Sequence, residues 1–210
     1  LSFAAYAGVG ALFVANNEGY LHQFAWPDQP QWFAPLNAFL LPVLAAAGLE
    51  FARRFVDLPK LNGKHNRWLI WIEIALIVLA LVAAFAWHSP ILQTLLYAAI
   101  GLAALVYLAL GLTAWRAKVL GGVPFLIGTG LLGLTLIFMA AILAMPGRLP
   151  LTVALDYFHG TLLLESFAFF IAIVVRMLAM QQRLNQSLTA EVAATQAKLE
   201  LEEALRHSRE

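Results

Sequence analysis

Polar positions divide the chain into six long apolar stretches, at residues 1–15, 33–52, 68–87, 91–115, 125–145 and 157–180. A helix needs about 20 mostly apolar residues to cross the hydrocarbon layer, where its backbone N–H and C=O groups must be satisfied within the segment. All but the first, which is a few residues short, reach that length. Turn-forming groups separate them: Asn16-Asn17-Glu18-Gly19 and Pro27-Asp28-Gln29-Pro30, Leu58-Pro59 and Asn62-Gly63, His88-Ser89-Pro90, Gly121-Gly122-Val123-Pro124, and Pro146-Gly147-Arg148-Leu149-Pro150. Trp26, Trp32, Trp68, Trp71, Trp87 and Trp115 fall at or near the proposed helix ends, where an amphipathic ring suits the headgroup layer. The pattern predicts an all-α membrane protein, with a six-helix transmembrane bundle over 1–180 and a polar C-terminal helix over 181–210.

Composition sharpens this by exclusion. Of 210 residues, 62% are hydrophobic and only 12% charged, and the mean hydropathy is +0.79. A soluble domain carries about 25% charged residues. A net charge of +1 supplies no basic field for nucleic acid. The chain lacks cysteine, and it has no HExxH, no GxxxxGK[ST], no GxSxG and no His/Glu cluster at metal-ligand spacing. His22, His65, His88 and His207 are scattered, and the LRHSRE context of His207 is simply a charged helix. No catalytic residue, metal or cofactor is expected within these residues. The chain opens on Leu1 inside an apolar run, without a basic n-region, and reads as part of a longer protein rather than as a signal peptide.

Loop charge sets the orientation, because Lys and Arg are retained on the cytoplasmic side. Arg53, Arg54, Lys60, Lys64 and Arg67 occupy one loop, Arg116 and Lys118 the next on that side, and Arg183, Lys198, Arg206 and Arg209 the tail. The opposite loops hold Arg148 alone. Arg53, Arg54 and Arg67 are thus cytoplasmic anchors, joined by Arg176, which lies about one turn inside the last helix and can snorkel to the headgroups. Both ends of the six-helix bundle then lie inside. An extracytoplasmic domain upstream would require one more helix before Leu1, making this a truncated seven-helix bundle.

The tail from Met180 is rich in helix formers and free of Gly and Pro. Leu184, Leu188 and Val192 recur every four residues, Thr195, Leu199 and Glu202 follow at three-and-four spacing, and Leu201 and Leu205 begin an offset stripe. Such spacing resembles a stutter in a two-stranded coiled coil. Either the helix simply trails into solvent, or it forms a parallel homodimer and carries a rotation or axial shift to a domain beyond Glu210.

Ionisable residues inside a membrane are functional candidates by default. Glu165 lies deep in the last span, and His159 and Thr161 lie toward its outer end; the six-residue spacing puts His159 and Glu165 on different faces. Glu165 is either a switch or ligand contact, or a hydrogen-bonding group that holds the bundle together. Asn37 with Pro42 marks a second candidate, in a span that Pro42 should kink. Glu73 could reach headgroups or a loop cation, while Glu50 and Arg54 form an i, i+4 ion pair. Ala4, Ala7, Gly8, Ala11 and Ala15 form a small-residue stripe suited to close helix packing, as do Thr129 and Gly133.

Two segments carry a resemblance. LEFARRFVDLPKLNGKHNRWL at 49–69 and GTLLLESFAFFIAIVVRMLAMQQRLN at 160–185 are similar to the first cytoplasmic loop and the last helix of the bacterial seven-transmembrane receptors with diverse intracellular signalling modules, and Glu165 matches the glutamate of that helix. The resemblance implies an upstream sensory domain outside the cell, a transmembrane helix before Leu1, a place in the bacterial inner membrane with the C-terminus cytoplasmic, and a downstream output. LNQSLTAEVAATQAKLELEEAL resembles linkers that precede histidine kinase modules, and such linkers also precede diguanylate cyclases. The rival class, a transporter or channel, would need matched helix breaks and several converging charges at mid-membrane. Only Glu165 is deep.

Overall fold

The computed structural model describes residues 1–144 and 151–207. Its elements are α1 (Ser2–Asn17), α2 (Tyr20–Phe24), a 3-10 turn at Pro30–Trp32, α3 (Phe33–Phe55), α4 (Leu58–Leu61), α5 (Gly63–Phe85), α6 (Pro90–Arg116), α7 (Gly122–Ala144) and α8 (Leu151–His207). The turn at 146–150 with Arg148, and Arg209, lie outside the described residues. Every described element is helical, so the protein is an all-α membrane protein. Residues Phe33–Phe55, Gly63–Phe85, Pro90–Arg116 and His159–Leu199 are long and apolar enough to cross a membrane, while Gly122–Thr135 is apolar but shorter.

Several helices begin or end outside their apolar runs, for a local reason. Asn62 is extended and its side-chain oxygen accepts a hydrogen bond from the His65 N–H at 3.2 Å, which starts α5 before Trp68 and makes the polar turn Lys64–Arg67 helical. Ser89 caps α6 in the same way, with Pro90 at its first position. α3 continues past Ala52 to Phe55 and runs unbroken through the buried Pro42. Hydropathy marks where side chains leave the apolar layer, whereas caps decide where backbone hydrogen bonding stops.

α3 is the central element, packed against α1, α5 and α6; α6 leans on α7, and α7 on α8. Rings from five helices build the core: Phe3 and Tyr6 of α1, Phe51 and Phe55 of α3, Tyr107 of α6, Phe125 of α7 and Phe169 of α8. Phe55 stacks on Phe125 with centroids 4.5 Å apart, and Phe169 lies 5.2 Å from both Phe51 and Phe125. The outward faces stay apolar, with Ile74, Val78, Phe85, Leu105, Leu163 and Phe167 exposed. Lipid makes that arrangement inexpensive, since acyl chains are as apolar as the side chains they meet.

The small-residue stripe of α1 does not pack inward as expected. Ala4, Gly8 and Ala11 are exposed, Ala7 and Ala15 are only half-buried, and a Cβ added at Gly8 would meet nothing. The buried face is instead Tyr6, Gly10, Phe13 and Asn16, because two large rings and a hydrogen-bonding amide gain more from burial than three alanine-sized residues do. Gly10 faces Leu44 and Leu162. Thr129 is fully buried and packs against Gly111 of α6, whereas Gly133 has open space beside it.

Candidate functional site

Polar contacts to α8 occur at three levels of the bundle. At one end, Asn16 closes the junction of α1 and α3: its Nδ2 donates to the Phe33 carbonyl at 3.2 Å and to Asn37 Oδ1 at 2.8 Å. Asn37 Nδ2 in turn donates to Asn17 Oδ1 at 2.8 Å. His159 of α8 reaches the same end of α1, with Nδ1 2.8 Å from Glu18 Oε1. Asn37 and His159 therefore both engage the last residues of α1 and the turn after it. The sequence marked Asn16 and Asn17 only as turn residues, and their role as helix-joining amides was missed.

Glu165 sits deeper. It is fully buried, about 16 Å along the helix axis from Arg176, or roughly half of the ~30 Å hydrocarbon thickness. The Tyr6 hydroxyl comes within reach of its carboxyl, and the buried Tyr107 lies nearby. Neither Glu165 oxygen, nor Tyr107 Oη, completes a hydrogen bond of ordinary geometry among the described residues. Gly48 makes room for this arrangement: a Cβ there would fall 2.6 Å from Tyr107 Oη. Tyr6 of α1 and Tyr107 of α6 thus converge on the carboxyl group of α8, with Gly48 of α3 behind Tyr107 and with Phe169 immediately below on α8, ringed by the same two tyrosines. His159 and Glu165 are not brought together, in keeping with their spacing. The tyrosine partners were not foreseen, since nothing in the local pattern of α1 or α6 distinguishes these phenols from core aromatics.

At the far end, Arg176 donates to the Phe55 carbonyl and its guanidinium lies 5.2 Å from the centre of the Phe55 ring. This satisfies an open carbonyl at the end of α3, a role for Arg176 additional to the headgroup contact read from its position. Gly121, at φ +78°, brings the α6–α7 turn into contact with the Ala172 backbone. Arg53 bonds Glu50, Glu73 Oε1 at 3.1 Å and Asn66 Oδ1 at 2.9 Å, fastening α3 to α5. Arg54 also pairs with Glu50, as the four-residue spacing indicates, and Lys60 with Asp57 at 2.7 Å. Arg67 is exposed and makes no ion pair among the described residues.

No group of three or more His, Cys, Asp or Glu side chains that could hold a metal ion occurs among the described residues. The arrangement serves to fix the register of α8 against α1, α3 and α7. Together, fold and contacts define a multi-pass helical membrane protein in which the first part of the last helix, His159 to Arg176, is tied to the bundle at three levels. The family model for 7TM diverse intracellular signalling matches residues 1–183, and the chain belongs to that family. It is accordingly part of a membrane signalling receptor. No curated protein and no solved structure matches the chain.

Proposed function

We propose that these residues form the sensor and transmitter region of a bacterial inner-membrane receptor, which passes a signal through α8 to a cytoplasmic output module. The observation that carries the reading is the continuity of α8 from Leu151 to His207, with no Gly or Pro after Gly160. A helix without a break transmits rotation or axial displacement of its bundled part to its far end, about 45 Å beyond Arg176. The contact between Arg176 and Phe55 puts the exit of α8 at the same end of the bundle as the basic residues of α3 and α5. By the rule that basic loops stay inside, that end is cytoplasmic. Glu165, with His159 and Asn37 above it, is the switch group: it lies buried on α8 facing Tyr6 of α1 and Tyr107 of α6, so a small change in the packing of these helices alters its surroundings. Its differential stabilisation of two bundle arrangements by roughly 1–3 kcal/mol is sufficient for coupling of ordinary strength.

The output is a histidine kinase, a reading that rests on the resemblance of LNQSLTAEVAATQAKLELEEAL to kinase linkers, and the linker acts as a parallel homodimer. Fusing a kinase module in place of the residues from Gln181 onward, in several helical phases, tests the mechanism. Autophosphorylation in membranes should rise and fall with the phase of the junction. Equal output in every phase would reject a rigid rod, and a reporter fused after Glu210 that is active only outside the cytoplasm would reject the orientation.

A further inference from the structure

The basic residues of the α3–α5 connection fall into two groups. Arg53, Arg54 and Lys60 are neutralised by Glu50, Glu73 and Asp57. Lys64 and Arg67 have no acidic partner among the described residues. Yet these two lie together: with Trp68 and Trp71 they line a shallow, open groove on the surface of α5. Positions 64, 67, 68 and 71 share one helical face. Both indoles are exposed, Trp68 by 64% and Trp71 by 67%.

The same face continues along α5 as an apolar lane. Ala75, Val78, Val82 and Phe85 follow Trp71 at three-to-four-residue spacing, and all are exposed. From Trp71 to Phe85 the lane is about 21 Å long, more than the ~15 Å of one leaflet's hydrocarbon. Two uncompensated cations, two interfacial indoles and an acyl-length lane lie on one stripe in the order in which a phospholipid presents its phosphate, glycerol and chains.

We propose that this stripe is a binding site for an anionic phospholipid, with Lys64 and Arg67 holding the phosphodiester, Trp68 and Trp71 flanking the glycerol, and one acyl chain lying along Ala75–Phe85. Charge complementarity selects the anionic class. A zwitterionic choline headgroup would bring a cation into a groove that already holds two and, among the described residues, is lined by no carboxylate. A soluble acidic peptide would make no use of the lane. The proposal requires only that α5 lies in a bilayer, and it stands apart from the transmitter reading of α8.

Native mass spectrometry of the full chain in detergent, with dioleoyl-phosphatidylglycerol against dioleoyl-phosphatidylcholine, tests it. The chain should retain the anionic lipid with about 10- to 30-fold preference, the scale set by two basic residues at a membrane surface. The double variant Lys64→Gln/Arg67→Gln should lose that preference, while Arg116→Gln/Lys118→Gln, which removes the same charge at another loop, should keep it. Both pairs are exposed, and unchanged melting temperatures would show the fold intact. Equal retention of the two lipids, equal loss in both double variants, or displacement of the lipid by millimolar inorganic phosphate would overturn the site. So would efficient cross-linking of Trp71→Cys to itself with anionic lipid excluded, which would make the stripe a contact between two copies.

Discussion

The two halves of α8 share one uninterrupted backbone and differ in almost everything else. From His159 to Arg176 the helix buries one face, with His159, Leu162, Glu165, Phe169 and Ala172 at three- and four-residue steps, and each is matched to a named neighbour or ring cluster on another helix. From Gln181 to Leu199 every side chain is exposed, including Leu184, Leu188 and Val192. The first half has its register set by shape and by polar contacts at both ends. The second half takes its position from the first, and its leucine stripe is open to a partner helix. The proposed transmitter role calls for this division, since an input must be able to reset the held half and the free half must follow without resistance of its own.

Substitutions in the held half should therefore destabilise the bundle and those in the free half should not. The largest effect is expected for Phe169→Ala, which removes a fully buried ring touching aromatics from four other helices. A loss of about 3–5 kcal/mol follows from the cavity and the missing contacts, read as a drop in the thermal unfolding midpoint in detergent; an unchanged midpoint would mean that α8 is not held by this cluster. Gly121→Ala comes next, at roughly 1–3 kcal/mol. Its φ of +78° disfavours a side chain, and the new Cβ would meet the Ala172 carbonyl. Hydrogen exchange should accelerate around Ala172 as the turn backs away.

Arg176→Met should cost about 1–2 kcal/mol by leaving the Phe55 carbonyl unpaired and removing the cation from its ring. Faster exchange at the end of α3 is the readout, and protection equal to the parent chain would show that the bond contributes nothing. Leu188→Ala should change bundle stability by less than about 0.5 kcal/mol, while reducing disulfide cross-linking between copies carrying Gln181→Cys. If cross-linking is unaffected, the stripe at Leu184, Leu188 and Val192 does not pair helices.

Several features were legible along the chain because their causes are local. Apolar runs marked the helices, Asn62-Gly63 and His88-Ser89-Pro90 marked breaks between them, and Glu50 with Arg54 announced an ion pair four residues apart. Orientation of the faces was not legible. The alanine and glycine stripe of α1 had the spacing of a packing surface, but Tyr6, Phe13 and Asn16 took the inner side. Glu165 stood out as a buried acid, whereas its relation to Tyr6 and Tyr107 depends on residues 159 and 58 positions away.

By itself, the order of residues determined that this protein is helical, that it belongs in a bilayer and which end of each span is basic, since these follow from transfer of side chains between water and lipid one segment at a time. Only the tertiary structure decided which face of each helix turns inward, that Arg176 closes the end of α3, and that Lys64 and Arg67 have no acidic partner among the described residues while their neighbours are neutralised. In lipid, inward and outward faces can be equally apolar, so hydrophobicity cannot choose between them. Shape and hydrogen bonding between helices make that choice, and both depend on neighbours distant in the chain.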